Sequence, residues 1–445
     1  MNIQKATYQR TLVLFLLIIP TLILAGCSSG VTEIPVILSA TDSGPSVPPT
    51  KISTNTSAPT ETPIPTETPT PFVPKATIKI ASQSPLSVQY TEWGTDIMRS
   101  AELAIRQLAD PLMELGYKTI FDSYDDQNDF SIAVDVAKQI TSDPEVLCVV
   151  GPFTSRIMNQ VKEIYHQAGL SVISPSATAA FVAESRYLEV NRVVGRHDGQ
   201  GLAGAQFAKD QGFLRVFVVS QTSDFGEFNA YHFRIEAASL GIEVVGNMST
   251  EALNDFGQII DKVIATDADL VYFSSLNVNQ AGEFFREARA EGYMGAFLGN
   301  DGINIPALIE LAGPLAIEGG GLYYTAITAS AGYYPKAVNF IEDFEAIYSE
   351  SPQMFAVQAY DAAGICLKAI EEASKAKEGE IPTRAEVAEA IRSLQDYQGI
   401  TGYYNFDKNG DPNPALYFVF QVVSPDPNNW NQNIVVTTFE ISPPE

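Results

Sequence analysis

Three short motifs place hydroxyl and carboxylate side chains just after predicted strands. They are Gly151-Pro-Phe-Thr-Ser155, Ser174-Pro-Ser-Ala-Thr178 and Gly299-Asn-Asp-Gly302. Hydroxyls and backbone N–H groups at the start of a helix suit a carboxylate, and a desolvated carboxylate suits an ammonium group. The same residue types also have local roles, because Ser155 and Thr178 could be helix N-caps and Asp301 a turn residue. The motifs therefore indicate either a site for a small charged ligand or ordinary caps and turns.

Motifs of catalysis are missing from the sequence. It contains no G-x-S-x-G elbow and no H-E-x-x-H helix. His166 and His232 fall on predicted helices and His197 in a crossover segment, where structural or solvent-facing roles are expected. Three cysteines and three histidines also leave little room for a zinc site. We expect a binding protein without metal or cofactor, and an enzyme is the lesser alternative.

Strands and helices alternate along the chain from residue 76. The first run has predicted strands at 76–82, 117–124, 146–150 and 171–174, and helices at 94–108, 132–140 and 158–168. The second run has strands at 214–220, 242–246, 269–274 and 295–299, and helices at 201–209, 227–240, 256–265 and 279–291. This alternation predicts parallel sheets with helices on both faces. We expect an α/β protein of two doubly wound parallel-sheet lobes, with a ligand cleft beyond the carboxyl ends of their strands.

The charge balance excludes some partners. The 445 residues carry 27 Lys and Arg against 53 Asp and Glu, a net charge of −26. Nucleic acids and anionic lipid surfaces both select clustered cations, so neither is an expected partner. We expect a soluble monomer that handles a small ligand.

The first residues have the pattern of an export signal. Basic residues precede a largely apolar run over 11–24, and small residues then lead to Cys27. This pattern predicts a signal peptide over 1–26; a membrane-anchoring helix is the alternative, although the run is short for a membrane span. The residues before Cys27 also resemble a bacterial lipobox, which implies cleavage before Cys27 and lipid attachment to it.

Residues 27–75 have a different composition. The stretch 43–74 is crowded with Pro, Thr and Ser, which cannot bury enough apolar surface to offset chain entropy. We predict a disordered tether of polyproline-II character that holds the folded part away from a membrane. An unstructured tail without consequence is the alternative.

The motifs in their order resemble a known family. Besides the three named above, they include Tyr124-Asp-Asp126, Val194-Gly-Arg-His-Asp-Gly-Gln-Gly201, Asp224-Phe-Gly226 and Leu270-Val-Tyr-Phe273. Between about residues 78 and 423 the chain resembles the leucine/isoleucine/valine-binding proteins, which are type I periplasmic solute-binding proteins of ABC importers.

The resemblance implies two interleaved lobes joined by a hinge that the chain crosses three times. We place the crossings near 196–200, 326–332 and 400–408. The first lobe would then hold residues 76–198 and 330–400, and the second lobe residues 199–329 and 401–440. A ligand that contacts both lobes would favour their closure, in the manner of a Venus flytrap.

The resemblance also assigns the ends of an amino-acid ligand. Ser155 takes the place of the serine that contacts the ligand carboxylate, and Thr178 that of a threonine contacting carboxylate and ammonium. Ser176 matches the residue whose carbonyl accepts from the ammonium group. Asp301 matches the acidic residue of the second lobe that pairs with the ammonium.

Four more residues are implied to line the pocket. Trp93 stands where the family has an aromatic residue over the cleft, with a core position as the alternative. Phe225 stands where many members have tyrosine, and Phe355 would line the same pocket. Leu276 replaces an aromatic residue often offered to the ligand side chain. The resemblance implies an amino-acid ligand, and because Leu276 departs from the family pattern the alternatives are a branched-chain amino acid and a related small polar solute such as an amide.

The cysteines depart from the family pattern. Some members carry a disulfide at the places held here by Asn128 and Thr154, so that bridge is absent. Cys148 falls in a predicted buried strand and Cys366 on a predicted helix. We interpret both as small core residues, not reactive thiols.

Two further motifs match other kinds of site only in part. Gly199-Gln-Gly-Leu-Ala-Gly204 satisfies G-x-G-x-x-G, but the fingerprint needs its glycines directly at a strand-to-helix turn, and here a crossover segment intervenes. Asp407-Lys-Asn-Gly-Asp411 begins like a calcium loop, but Pro412 and Phe418 stand where the loop needs glycine and glutamate. We predict a helix-opening crossover for the first and a hairpin turn for the second.

These observations together predict an extracytoplasmic lipoprotein that captures an amino acid and delivers it to the permease subunits of an ABC importer. A sensor subunit that presents its ligand to a membrane receptor is the alternative.

Overall fold

The computed structural model describes residues 73–250 and 256–444. The predicted signal peptide, Cys27 and all but the last residues of the predicted tether lie outside the described residues and stay predictions. Among the described helices, none combines the length and apolar character that a membrane crossing requires.

A parallel sheet of five strands forms the first lobe within residues 73–250, in the order β2-β1-β3-β4-β5. Its strands are β1 (Ala76–Ser84), β2 (Tyr117–Asp125), β3 (Val146–Val150), β4 (Ser171–Ser174) and β5 (Val190–Arg192). Every residue of β3 is buried, because helices cover both faces of the sheet. One face carries α3 (Phe130–Ser142) and α4 (Ser155–Gln167). The other carries α1 (Thr91–Leu108), α2 (Asp110–Glu114), α11 (Ala356–Ala376) and α12 (Arg384–Ser393).

The second lobe holds a seven-stranded sheet among the described residues, in the order β14-β13-β10-β9-β8-β6-β7. Five strands are parallel: β6 (Arg215–Gln221), β7 (Glu243–Thr250), β8 (Leu270–Ser274), β9 (Ala296–Gly299) and β10 (Leu322–Ala326). Strands β13 (Ala415–Gln421) and β14 (Ile434–Ile441) extend the edge in antiparallel pairs. Helices α5 (Gly199–Asp210) and α6 (Asp224–Ser239) cover one face. Helices α7 (Gly257–Ala265), α8 (Val278–Ala290) and α9 (Ala307–Ala312) cover the other.

The described chain passes between the two sheets three times. Residues 193–198 lead from β5 to α5, and residues 327–337 lead from β10 to α10 (Val338–Tyr348), which packs beside α1 and α11. The short antiparallel pair β11 (Tyr397–Gln398) and β12 (Tyr403–Tyr404) precedes the third passage, residues 405–414, which leads to β13. This topology confirms the predicted fold class, two doubly wound lobes with three crossings. Which residues bend when the lobes move stays a prediction.

Cys148 and Cys366 are both fully buried, as predicted, but they are more than small core residues. Their sulfurs form a disulfide across 218 residues of sequence. The bond becomes possible because α11 packs directly over β3, which brings two distant segments together. Sequence spacing carries no information on that packing. The interpretation of Cys148 and Cys366 as core residues without a covalent role is therefore wrong.

The two partial motifs have structural roles. Gly199 begins α5 after the crossover segment, as predicted. A Cβ built on Gly201 would lie 2.3 Å from the carbonyl oxygen of Asn229, so glycine allows α5 to approach α6 closely. In the second motif, Phe406 and Pro412 form an antiparallel bridge around the turn, which confirms the predicted hairpin turn.

Candidate ligand-binding cleft

A cleft of about 1570 Å³ opens beyond the carboxyl ends of the strands of both sheets. The residues on its walls include Thr178, His197, Phe225, Leu276 and Asp301. The cleft thus brings together four of the residues predicted for the site, from loops that follow different strands. Ser155, Ser176, Trp93 and Phe355 lie off its walls.

The loop after β3 depends on a glycine. Gly151 has φ +123°, and a Cβ there would lie 2.0 Å from the carbonyl oxygen of Gln83. The loop then delivers Thr154, the N-cap of α4, whose hydroxyl accepts from the backbone N–H of Ile157 at 3.4 Å. The same hydroxyl donates to Oδ1 of Asn128 at 2.8 Å, at the place where some family members have a disulfide.

Ser155 is the first residue of α4, not its N-cap. The alternative that Ser155 merely caps the helix is therefore wrong, because Thr154 does so. The Oγ of Ser155 accepts from the backbone N–H of Ala179 at 3.1 Å. Its own hydroxyl hydrogen is left to donate, and its backbone N–H lies at the helix start, where no intrahelical acceptor exists. Ser155 thus has two donors suited to an anion.

The loop after β4 is fixed by its own serines. Ser176 is buried, and its hydroxyl donates to the carbonyl of Phe153 at 2.7 Å. Thr178 lies in the loop and caps no helix. Its carbonyl accepts from the backbone N–H of His197 at 2.9 Å and from Nδ1 of the same residue at 3.1 Å. The hydroxyl and N–H of Thr178 have no hydrogen-bond partner among the described residues and lie at the cleft.

Asp301 begins a short 3-10 turn just after β9, so it is partly the turn residue that its sequence suggested. Its side chain, however, reaches across to α5. The Nε2 of Gln200 donates to Oδ1 of Asp301 at 2.7 Å. Burial raises the pKa of Asp301 to about 6, and the hydrogen bond from Gln200 opposes the rise. A cation placed beside this buried carboxylate would stabilise its ionised form.

Phe225 and Leu276 stand on the second-lobe wall. Phe225 lies in the first turn of α6, and its ring stacks on that of His197 with centroids 5.2 Å apart. Leu276 is 56% exposed, and its backbone N–H donates to Oε1 of Gln221 at 2.9 Å. Burial lowers the pKa of His197, so the neutral ring that stacks on Phe225 is favoured. These side chains offer apolar surface to a ligand.

Trp93 and Phe355 belong to a cluster of half-buried aromatic rings on the first lobe. Trp93 lies 5.6 Å from Tyr90 and 5.8 Å from Phe153, and Phe153 lies 6.0 Å from Phe355, between ring centroids. Tyr90 and Phe355 both have positive φ, at 66° and 71°. Residues other than glycine adopt this backbone conformation only when their surroundings enforce it, so the backbone at both rings is held in a defined arrangement.

The sequence reasoning missed several contributors. Gln200 and His197 fall inside a motif quoted for the family resemblance, and Phe153 falls inside another, but no role was assigned to Gln200 or Phe153. Tyr90 carries no sequence signal at all. Gln200 contacts Asp301 across 101 residues of sequence, and only the packing of α5 against the end of β9 reveals that contact.

Comparison with known proteins identifies the family of the chain. A family model described as periplasmic binding protein matches residues 77–426. A leucine-, isoleucine-, valine-, threonine- and alanine-binding protein of Pseudomonas aeruginosa is 28% identical over 340 residues, which are 75% of this chain and 87% of that protein. A Leu/Ile/Val-binding protein homolog of Brucella melitensis is 25% identical over 78% of this chain and 90% of its own.

Solved structures show the same architecture. A putative branched-chain amino acid ABC transporter protein from Rhodospirillum rubrum superposes with a TM-score of 0.68 at 25% identity, covering 78% of this chain and 98% of that one. A substrate-binding protein from Desulfitobacterium hafniense, crystallised with Leu, superposes with a TM-score of 0.64 at 21% identity. It covers 81% of this chain and 100% of its own, and at this identity the likeness concerns the fold alone.

Proposed function

The chain belongs to the periplasmic binding protein family, and on that premise we propose that it captures a free amino acid between its lobes and delivers it to an ABC importer. The family is one of extracytoplasmic solute-binding proteins, not of enzymes. The observation that carries the proposal is the opposite chemistry of the two walls. Within the described part of the chain, Thr178 on the first-lobe wall has a free hydroxyl and N–H, with Ser155 behind it, and the Asp301 carboxylate lies on the second-lobe wall.

The carboxylate of the ligand would bind to the first lobe. The hydroxyl and backbone N–H of Ser155 are both available as donors at the positive end of α4. The hydroxyl and N–H of Thr178 would complete the set, since the loop around Thr178 is joined to Ser155 through Ala179. Helix-start donors favour a planar anion without needing a buried cation.

The ammonium of the ligand would bind to the second lobe. Asp301 is desolvated and held in place by Gln200. An ammonium beside it would restore a charge pair and lower the pKa of the carboxyl. The carbonyl of Ser176, at the edge of the first lobe, would accept a further hydrogen bond from the same ammonium.

Binding of the two ends to different lobes would couple capture to closure. A ligand that satisfies Ser155 and Thr178 on one side and Asp301 on the other makes its full set of contacts only when the lobes are together. The ligand would therefore shift the population from open to closed. Phe225 and Leu276 would pack on the ligand side chain from the second-lobe wall. Trp93 and Phe355, which lie off the walls of the cleft described above, would approach the side chain from the first lobe on closure.

The proposal extends to the surroundings of the protein. The lipid on Cys27 would attach the chain to a membrane, the tether would give the lobes reach, and the permease subunits would be the partner of the closed form. A disulfide between Cys148 and Cys366 suits an oxidising compartment.

Titration calorimetry with the common amino acids and their amides tests the proposal, using the parent, Asp301→Ala, Ser155→Ala and the control Asp210→Ala. Asp210 is exposed at the end of α5, away from the cleft. We expect one ligand group to bind the parent and the control equally, and both site variants at least tenfold more weakly. If no amino acid or amide binds the parent at millimolar concentration, the ligand class is wrong. Equal binding by the site variants would contradict the assignment of the site.

A further inference from the structure

A fully buried ion pair lies behind the loop that follows β4 and bears Thr178. Arg192, the last residue of β5, and Asp411, in the third passage between the lobes, are both 0% exposed. The Nε of Arg192 donates to Oδ1 of Asp411 at 2.5 Å. Burying two charges costs several kcal/mol unless geometry repays it, so such a pair is weak evidence for stability by itself.

The guanidinium group also holds the backbone on each side of Thr178. Nη1 of Arg192 donates to the carbonyl of Ala177 at 2.9 Å and to that of Ala179 at 2.8 Å. One planar cation therefore fixes the peptide group that precedes Thr178 and the peptide group that follows Ala179. The two carbonyl bonds leave from Nη1 and the ion pair from Nε, so the arrangement uses two separate nitrogens of the planar guanidinium, and a lysine ammonium has only one.

Three other polar groups of this loop also have hydrogen-bond partners. The N–H of Ala177 donates to Oγ of Ser174 at 2.9 Å, and the N–H of Ala179 donates to Oγ of Ser155 at 3.1 Å. The carbonyl of Thr178 is taken by His197. Among the described residues nothing bonds the N–H or the hydroxyl of Thr178. The loop thus leaves free those polar groups of Thr178 that a ligand would use.

The other end of the pair is bonded to the third passage between the lobes. The N–H of Asp411 donates to Oδ1 of Asp407 at 2.9 Å, and the backbone N–H of Arg192 donates to the carbonyl of Gly410 at 3.0 Å. One nitrogen of Arg192 and one oxygen of Asp411 are buried without a partner among the described residues. An unpartnered buried polar atom costs stability, so these two atoms add to the cost of burying the pair.

We propose that Arg192 and Asp411 are positioning residues for ligand binding, which hold the loop bearing Thr178 in its receptive geometry and join it to the third passage between the lobes. The inference rests on the proposed function, in which Thr178 contacts the ligand. Neither residue touches the ligand itself, so both act through the loop.

A second buried arginine provides a matched control. Arg289 is 5% exposed and likewise donates to backbone carbonyls, including those of Tyr293 at 2.6 Å and Gly295 at 2.9 Å. Arg289 belongs to α8, and its side chain reaches the backbone just before β9, at the opposite end of that strand from Asp301. In either case, replacement by lysine removes a guanidinium group that donates to several backbone carbonyls.

The first experiment compares Arg192→Lys with Arg289→Lys in the full-length chain, measuring the melting temperature and the Kd for L-leucine or for the panel amino acid that the parent binds best. We expect both variants to melt at lower temperature. Arg192→Lys should bind at least tenfold more weakly than the parent, and Arg289→Lys within twofold of it. Equal affinities in the two variants would overturn the proposal.

A second experiment needs no ligand. Amide hydrogen exchange of peptides covering residues 174–180 is compared in the parent, Arg192→Lys, Arg289→Lys and Asp411→Asn. The Asp411→Asn variant keeps the side-chain volume and one acceptor oxygen, so it serves if Arg192→Lys fails to fold. Exchange over 174–180 should quicken in the Arg192 and Asp411 variants and stay at the parent rate in Arg289→Lys. Unchanged exchange in both would refute the positioning role. Failure of the parent to bind any amino acid would instead refute the proposed function, and exchange would still decide on the loop.

Discussion

Gln200 holds Asp301 by two hydrogen bonds that run in opposite directions. Its Nε2 donates to the carboxylate at 2.7 Å, and its Oε1 accepts from the backbone N–H of Asp301 at 3.0 Å. The same Oε1 accepts from the hydroxyl of Thr325 at 3.0 Å, which fixes the orientation of the amide. Gln200 therefore holds the carboxylate in place and opposes the rise in the pKa of Asp301 that burial causes.

The first prediction concerns the pH dependence of binding. The pKa of Asp301 in the unliganded protein is raised to about 6, so the carboxyl is ionised above this pH and neutral below it. A neutral carboxyl cannot pair with an ammonium, so affinity should fall by up to about tenfold per pH unit below pH 6. Calorimetry from pH 7.5 to pH 4.5 measures this fall.

The variant Gln200→Leu separates Asp301 from other titrating groups of the cleft, such as His197. Loss of the hydrogen bond raises the pKa of Asp301 further, so the midpoint of the affinity profile should move to higher pH. A profile that is flat over this range, or a midpoint that stays in place, would contradict the assigned role of Asp301.

A second prediction is that Asp301→Asn stabilises the unliganded protein at pH 7.5. The folded-state pKa of about 6 lies above the unfolded value, so the folded state binds the proton more tightly. The stability contributed by this group is therefore highest at low pH and is lost as pH rises to about 6. Asparagine carries no charge and can still accept from Gln200, so we expect a gain of about 1–2 kcal/mol at pH 7.5. Urea unfolding at pH 7.5 and pH 4.5 tests this, since the gain should be smaller at the lower pH, where the folded carboxyl is neutral.

A third prediction concerns the disulfide. Replacing Cys148 and Cys366 together by alanine releases a loop of 218 residues in the unfolded chain and should lower the free energy of unfolding by about 2–5 kcal/mol. The bond lies in the core between β3 and α11, not in the cleft, so the Kd should change less than threefold. Denaturant unfolding of parent and double variant, with and without reductant, measures the effect. A reductant response in the double variant would show that the cause lies elsewhere.

A fourth prediction uses two threonine caps. Thr154→Val removes the N-cap of α4 and the hydrogen bond to Asn128, and Thr383→Val removes the N-cap of α12. Each should cost about 1–2 kcal/mol of stability, measured by urea unfolding. Only Thr154→Val should also weaken binding, because Ser155 follows it directly at the helix start. An equal loss of affinity in Thr383→Val would argue against a local role for Thr154.

Much of the fold could be predicted from periodicity, because buried parallel strands and amphipathic helices leave regular patterns. The predicted strand over 146–150 coincides with β3, and that over 171–174 with β4. Helix starts were less accurate. The helix predicted from residue 158 begins at Ser155, because the cap is made by a hydroxyl three residues earlier than the first apolar residue.

What periodicity could not supply is contact between distant segments. The pairing of Cys148 with Cys366, the bonds of Gln200 to Asp301 and the ion pair of Arg192 with Asp411 all join residues more than 100 positions apart. The candidate site residues came from family resemblance, and the resemblance named the ends of the ligand but not the side chains that hold those residues in place.

The disulfide also affects what happens when the chain is cut by a protease. The ring closed by Cys148 and Cys366 runs from β3 through the parallel strands of the second lobe to α11. A protease that cuts one peptide bond anywhere in that ring leaves the two pieces a single molecule. In an extracytoplasmic protein that meets proteases, such a nick need not release half of the binding cleft.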